Sequence, residues 1–265
     1  MKIYFTLVMK RYHLLISIGC IVCFGSCAES ENKIRSSLID LGSETETVIS
    51  ESKSVLQKFD GWEYRKYYGI DISHYQGDVI QLMASTDSLH FVIAKATEGT
   101  GYIDPDFRSN WREIKDKGLI RGAYHFYRFG DDPVKQAQHF TDQIKDIEFS
   151  DISPIVDVEG GSLGQNISKA KMNKDLMKFL KYLETATKRK PIIYTNTSFS
   201  NEYLTNTAFS NYELWLAEYT KDQPRVPELW KDNGYLLWQK SQNYNDYSIT
   251  TDFDLFHGRL NELLR

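Results

Sequence analysis

The stretch Pro154-Ile155-Val156-Asp157-Val158-Glu159-Gly160-Gly161 places two acidic residues directly after a short apolar run and before two glycines. Residues two apart on a strand point to the same side, so the carboxylates of Asp157 and Glu159 are expected to face one way and Val158 the other. Crowding two carboxyl groups disfavours ionisation of both and raises the pKa of one of them. A proton retained near neutral pH suits a general acid; the alternatives are two solvated strand-end acids or half of a metal site.

The chain around this stretch alternates short apolar runs with helix-like segments. The apolar runs cover residues 67–72, 91–96, 120–127, 154–158, 191–194, 214–217, 235–238 and 253–256. Their nearly continuous apolarity is typical of strands buried on both faces. The helix-like segments cover residues 107–117, 133–147 and 169–188, and the spacing shortens after the sixth run. We predict an α/β fold, an irregular, TIM-barrel-like (β/α) barrel with degenerate late helices; a doubly wound open sheet is the alternative.

Acidic residues recur where such a barrel carries its chemistry, at the carboxyl ends of the strands. Asp71 lies in the first run, Glu98 follows the second, and Asp252 precedes the last. Taken singly, each has an ordinary structural explanation: Asp71 as a turn or helix cap, Glu98 as the partner of a nearby lysine, and Asp252 as an acceptor at a strand start. Together with the Asp157–Glu159 pair they predict one acidic cluster.

The amino terminus is typical of a bacterial export signal. Lys2, Lys10 and Arg11 precede an apolar run over residues 14–24. This run is far shorter than the about 20 residues that span a bilayer as a helix. We predict a lipoprotein signal peptide over residues 1–26 and lipidation of Cys27, which follows two small residues. Cys20 is the rival site, and a plain cleaved signal is the alternative. The mature protein would be exported and anchored to a membrane of the bacterial envelope through its lipid.

Residues 27–62 are rich in Ser and Glu and predict a polar tether, which leaves residues 63–265 as the catalytic domain. All three cysteines of the chain lie at or before position 27, so neither a disulfide nor a thiolate metal site is expected in that domain. The formal charge of −4 becomes −7 once the three basic residues of the signal are removed. This charge disfavours nucleic acid as a partner.

Four ordered segments resemble glycoside hydrolase family 25, the CH-type lysozymes that cleave between N-acetylmuramic acid and N-acetylglucosamine. The resemblance runs from about residue 67 to 260. The four segments are Gly69-Ile70-Asp71-Ile72-Ser73-His74-Tyr75-Gln76-Gly77, Phe91-Val92-Ile93-Ala94-Lys95-Ala96-Thr97-Glu98-Gly99, Gly122-Ala123-Tyr124-His125-Phe126-Tyr127 and Pro154-Ile155-Val156-Asp157-Val158-Glu159. Two positions depart from the family pattern, Glu218 after Leu214-Trp215-Leu216-Ala217 and Lys240 in Trp238-Gln239-Lys240-Ser241. They bear on glycan preference more than on the reaction.

The resemblance implies endo-hydrolysis of peptidoglycan glycan strands by a monomer that needs no cofactor or metal. Glu159 would be the proton donor. Asp157 would stabilise the oxocarbenium charge or orient the substrate N-acetyl group. Asp71 and Asp252 would complete the acidic ring. A carboxylate or the acetamido oxygen would react at the anomeric carbon, with either stereochemical outcome.

Several residues at or near strand ends are candidates for substrate binding, with core packing as an equal alternative for the aromatic ones. They are Glu98, Tyr124, Tyr127, Tyr194, Trp215 and Trp238. Two other functions compete with lysozyme activity: a catalytically inactive peptidoglycan-binding lipoprotein and a chitinase-like N-acetylhexosaminidase. Chitinase-like sites usually carry a further Asp where this chain has Ile155. A metal-dependent deacetylase is disfavoured because His74 and His125 lack metal-ligand spacing to partners.

Overall fold

The computed structural model describes residues 64–83, 89–163, 167–246 and 249–264. The predicted signal peptide, Cys27 and the tether lie outside the described residues. Within the described ranges, no helix is long and apolar enough to cross a bilayer.

The fold is a closed barrel of eight strands, as the alternation of apolar runs predicted. Its strands are β1 (Arg65–Ile72), β2 (Phe91–Glu98), β4 (Ile120–Phe126), β5 (Ile155–Asp157), β6 (Ile192–Asn196), β7 (Glu213–Ala217), β8 (Leu237–Asp246) and β9 (Ile249–Gly258). A short strand, β3 (Tyr102–Ile103), extends the sheet beside β2. Pairing of β1 with β2 closes the ring, and β9 runs antiparallel to both β8 and β1 while the other barrel pairs are parallel.

Helices cover the first part of the barrel and thin out in the second. The helices are α1 (Val79–Leu82), α2 (Phe107–Asp116), α3 (Pro133–Gln143), α4 (Lys169–Thr187), α5 (Thr197–Tyr203) and α6 (Leu260–Leu263). Helix α3 starts sharply because Asp132 caps its first backbone N–H groups and Pro133 follows, and it ends four residues earlier than the pattern indicated. Between β7 and β8 the structure has only a 3₁₀ turn, Glu228–Trp230, so the predicted degeneracy of the late helices is confirmed.

Two apolar layers form because successive strand residues point to opposite faces. One layer includes Val92, Val156 and Phe179 and lies between the strands and the helices. The other fills the barrel, and its members include Phe91, Ile93, Ile120, Ile155, Ile192, Trp215, Leu237 and Phe256. Gly69 makes room for Phe91, since a Cβ at Gly69 would lie 2.2 Å from that ring. This packing closes the interior below the carboxyl ends of the parallel strands, an end we call the mouth.

Candidate active site

Four predicted acids converge at the mouth. Asp71 and Asp252 are direct partners across β1 and β9, which places their Cβ atoms about 4.5–5.5 Å apart. Asp157 ends β5, and Glu159 follows two residues later. The negative charge of Glu159 reaches Asp71, Asp157 and Asp252 strongly enough to raise the pKa of each. The strands therefore assemble one carboxyl cluster from three separate parts of the sequence.

Burial is the main reason why these carboxyl groups hold their protons. It raises the pKa of Asp71 to about 8, with help from the charge of Asp252. It raises the pKa of Asp252 to about 6, with help from Glu159. The pKa of Asp157 is also raised well above its usual value by burial and by the charges of Glu159 and Asp71. A cluster of this kind keeps protons available near neutral pH.

Glu159 has the features of a proton donor. Burial raises its pKa, and the charge of Lys95 opposes this rise only in part. Among the ion pairs of the described residues, none includes Glu159. The turn that carries it is fixed, because the Glu159 backbone N–H donates to Ser162 Oγ at 3.1 Å and Ser162 N–H donates back to the Glu159 carbonyl at 2.9 Å.

Three charged side chains border the cluster on the side of β2: Lys95, Glu98 and Arg128. Lys95 Nζ donates to Glu98 Oε2 at 2.7 Å, and Arg128 donates to the other oxygen of Glu98. Burial alone would raise the pKa of Glu98, but these hydrogen bonds hold it below its usual value. A register shift between Lys95 and Thr97 turns Glu98 back to the side of Lys95. Glu98 is therefore an ionised acid, and its first contacts are cations of the protein.

Gln239 forms hydrogen bonds to three side chains of the site, and it was not identified as a site residue from the sequence. Its Nε2 donates to Asp71 Oδ2 at 2.7 Å, and its Oε1 accepts from the hydroxyl groups of Tyr194 and Tyr219, each at 2.9 Å. The Tyr219 side chain is 53% exposed, and the charges of Asp252, Asp71 and Glu159 act on its hydroxyl. Its ring is thus a solvent-exposed aromatic surface at the mouth.

Two aromatic candidates support the floor of the site. Tyr194 and Trp215 pack edge to face with ring centroids 4.6 Å apart, and both are at least nine-tenths buried. Trp215 Nε1 donates to Asp254 Oδ1 at 2.9 Å. Asp254 is a second missed residue, fully buried beneath the four acids. Tyr124 packs against the interior layer and keeps part of its side chain exposed.

The structure buries Tyr127 and Trp238, which favours core packing, the alternative to sugar stacking for both residues. Tyr127 is fully buried between the barrel and helix α4, with its ring centroid 5.1 Å from that of Phe179. Trp238 alternates with the inward-facing Leu237, and it donates Nε1 to the Glu218 carbonyl at 2.7 Å. Each side chain lies on the outer face because its strand position has the opposite parity from that of the site residues.

Comparisons with known proteins agree on one family. The family model described as glycosyl hydrolases family 25 matches residues 70–249. The chain is 33% identical over 191 residues to the autolytic lysozyme of Clostridium acetobutylicum, covering 71% of this chain and 55% of that protein. It is 31% identical over 206 residues to YegX of Escherichia coli K12, covering 74% and 71%. A family GH25 lysozyme structure from Aspergillus fumigatus superposes with a TM-score of 0.67 at 30% identity, covering 75% of this chain and 97% of that one.

Proposed function

The chain belongs to glycosyl hydrolases family 25 and is a muramidase acting on peptidoglycan, and we propose that Glu159 is its proton donor. Glu159 protonates the glycosidic oxygen as the β-1,4 bond from N-acetylmuramic acid to N-acetylglucosamine breaks. Water supplies the hydroxyl group of the new reducing end, and its proton returns to the carboxyl cluster. The observation that carries this proposal is a partly buried Glu with a raised pKa and no cationic partner among its described contacts.

We assign Asp157 to the acetamido group of the substrate. Its Oδ1 is buried and has no hydrogen-bond partner within the described part of the chain. An acetamido N–H is a suitable donor to this oxygen, whether the carboxyl group is ionised or neutral. Such a hydrogen bond would orient the acetamido oxygen toward the anomeric carbon. Asp71 and Asp252 would then set the electrostatic environment of the pair.

Product analysis tests the reaction. Purified peptidoglycan is digested, and the released fragments are identified by mass spectrometry beside a parallel digest of chitin oligomers. We expect fragments with N-acetylmuramic acid at the reducing end and slow or no cleavage of chitin. N-acetylglucosamine at the reducing end would overturn the bond assignment. Binding to walls without new reducing ends would favour the inactive binding protein, although all four acids matched to the family are present.

We also propose that the enzyme is an exported monomer, anchored by acylated Cys27 and held off the membrane by residues 27–62. The support is the basic, apolar and small-residue order of the first 27 positions, together with a site whose carboxyl groups all come from one chain. Cys27→Ala is expected to move the protein out of the membrane fraction, with Cys20→Ala as the matched control. If Cys20→Ala leaves the membrane fraction and Cys27→Ala does not, the lipidated residue is Cys20. Light scattering of the purified protein tests the monomer.

A further inference from the structure

Beneath the catalytic cluster lies a further carboxyl group, Asp254, which neighbours Asp71 of the cluster. Asp254 is 0% exposed, and Asp71 is 8% exposed. Strand pairing places Asp254 opposite Gly69 and Asp252 opposite Asp71, so the side chains of Asp254 and Asp71 lie on the same inward face, and each carboxyl group affects the pKa of the other. Neither takes part in an ion pair among the described residues. The N–H groups that reach them are neutral: Trp215 Nε1 on Asp254 at 2.9 Å and Gln239 Nε2 on Asp71 at 2.7 Å.

This arrangement requires a proton between the two groups. Two adjacent carboxyl groups without a cation cannot both ionise in a buried site, so the pair keeps at least one proton through neutral pH. Asp254 is the deeper of the two and would lose more solvation on ionising. Its Oδ2 is buried and lacks a hydrogen-bond donor within the described ranges. An O–H group at this carboxyl would satisfy that oxygen by donating to Asp71.

The charges around the two carboxyl groups also favour placing the shared proton on Asp254. Asp71 faces Asp252 across the β1–β9 pairing, and Glu159 acts on it from beyond β5. Asp254 is also exposed to the charge of Asp252. The charge of Lys95 on β2 acts on Asp157 and Glu159. Every charge that reaches Asp254 therefore disfavours its ionisation.

We propose that Asp254 is a positioning residue that stays protonated throughout the working pH range and holds Asp71 in place by donating an O–H hydrogen bond to it. This hydrogen bond favours the ionised form of Asp71. Burial keeps the Asp71 pKa at about 8 despite this hydrogen bond, and above that pH the charge of Asp71 helps Asp157 to retain its proton. The role rests on the proposed function of the mouth, but the protonation state of Asp254 is a property of the folded chain alone.

Carbon-13 NMR of labelled aspartate carboxyl groups in the wild-type protein tests the protonation state directly. The Asp254 resonance is assigned by its loss in Asp254→Asn. We expect it to keep the chemical shift of a neutral carboxyl group across pH 4–8, the interval in which exposed aspartates complete their titration. A resonance that titrates like an ordinary aspartate, or an ionised Asp254 beside a neutral Asp71, would overturn the proposal. This result does not depend on enzymatic activity, so a failure of the muramidase assignment remains distinguishable.

Two substitutions of similar size test the positioning role. In Asp254→Asn the amide can donate to Asp71 and still accept from Trp215, so most of kcat/KM and the whole pH profile should survive. In Asp254→Leu the donor is lost, and kcat/KM should fall by up to about 100-fold as Asp71 shifts. The pKa that Asp71 contributes to the pH profile should rise in the Leu variant. A pKa that falls in Asp254→Asn would mean that a negative charge had been removed, and would contradict the proposal. If the Leu variant does not fold, the Asn variant and the titration still decide it.

Discussion

At the amino-terminal end of the barrel a buried carboxyl group forms an ion pair with an arginine, whereas the buried carboxyl groups at the mouth form no ion pair among the described residues. Asp151 accepts two hydrogen bonds from Arg121, at 2.8 Å from Nε and 3.0 Å from Nη2. The Arg121 guanidinium also lies 3.9 Å from the ring centre of Trp111. Asp71, Asp157 and Asp254 are equally deep, but no ion pair of the described residues includes them.

The difference separates two uses of a buried acid. Burial raises the pKa of Asp151, but the hydrogen bonds and the charge of Arg121 oppose this rise and favour the carboxylate form. Carboxyl groups that share a site without a cation keep a proton and can release it, at a cost to folding stability. The amino-terminal pair therefore suits a structural role, and the acids of the mouth have the properties that the proposed reaction needs. This contrast makes predictions about activity at one end and about stability at the other.

The largest expected effect is on activity, from Glu159→Gln. Removing the proton donor should slow the clearing of cell walls by about 100- to 10,000-fold while the thermal unfolding midpoint stays close to that of the wild type. The matched control is Glu148→Gln at the opposite end, where the carboxylate pairs with Lys115. That variant should retain its activity. Near-wild-type clearance by Glu159→Gln would remove this residue from the reaction.

The next effect is on stability, from Arg121→Met. It leaves the Asp151 carboxylate buried without its partner, which should lower the free energy of unfolding by about 3–5 kcal/mol. Activity of the folded fraction should be unchanged, since the pair lies away from the mouth. Urea unfolding monitored by tryptophan fluorescence measures the loss. Adding Asp151→Asn to the same chain should recover part of it, and a single variant as stable as the wild type would refute the structural role of the pair.

Most of the fold could be predicted from the sequence because a strand buried on both faces is an unbroken apolar run. However, an apolar run does not indicate whether its strand is parallel or antiparallel to the neighbouring strands. The run at residues 253–256 belongs to an antiparallel strand that forms a hairpin with β8, and only the pairing of β9 with β1 and β8 reveals this. The end of α3 was misjudged for a related reason, since Ile144 and Ile147 continue the apolar pattern beyond the last helical residue, Gln143.

The site could be predicted in part. Asp71, Asp157 and Glu159 stand out because they lie near the ends of apolar runs or directly after them. Gln239 and Asp254 were missed because their roles depend on strand register, which pairs the two residues with each other and brings Asp254 beside β1. The choice between stacking and core packing for the aromatic candidates could not be made from the sequence, because a shift of one residue along a strand reverses the face that a side chain occupies.

The contrast between paired and unpaired acids should also appear in the pH dependence of stability. The pKa of Asp252 rises from 3.8 to about 6 in the folded protein. The folded state therefore binds a proton that the unfolded chain has released, and the wild type loses stability relative to Asp252→Asn as pH rises from about 4 to 6. Above about pH 6 the difference in stability between the wild type and Asp252→Asn should stay constant. Thermal unfolding of both proteins at several pH values measures it.

Asp175 on α4 provides the control of opposite sign. Burial would raise its pKa, but hydrogen bonds from Lys171 and Lys178 hold the pKa below 3.8. Its stabilising contribution is complete above the unfolded value and is lost only as pH falls below it. The stability gap between the wild type and Asp175→Asn should therefore not change between pH 4 and 7. A gap that moved in this interval as the Asp252 gap does would mean that ion pairing is not what distinguishes the two acids.

The smallest expected effect comes from comparing Tyr127, on the outer face of the barrel, with Tyr194, on the inner face. The Tyr127 hydroxyl is buried and without a hydrogen-bond partner in the described part of the chain, so Tyr127→Phe removes an unsatisfied polar group and should leave both activity and stability unchanged or slightly improved. Tyr194→Phe removes one of two donors to Gln239 and should cost about 1 kcal/mol of stability with a modest loss of kcat/KM. Because Tyr219 still donates to the same oxygen, Gln239 should remain in place with one hydrogen bond fewer. A larger loss of activity from Tyr127→Phe than from Tyr194→Phe would return Tyr127 to the substrate-binding role that its buried position denies it.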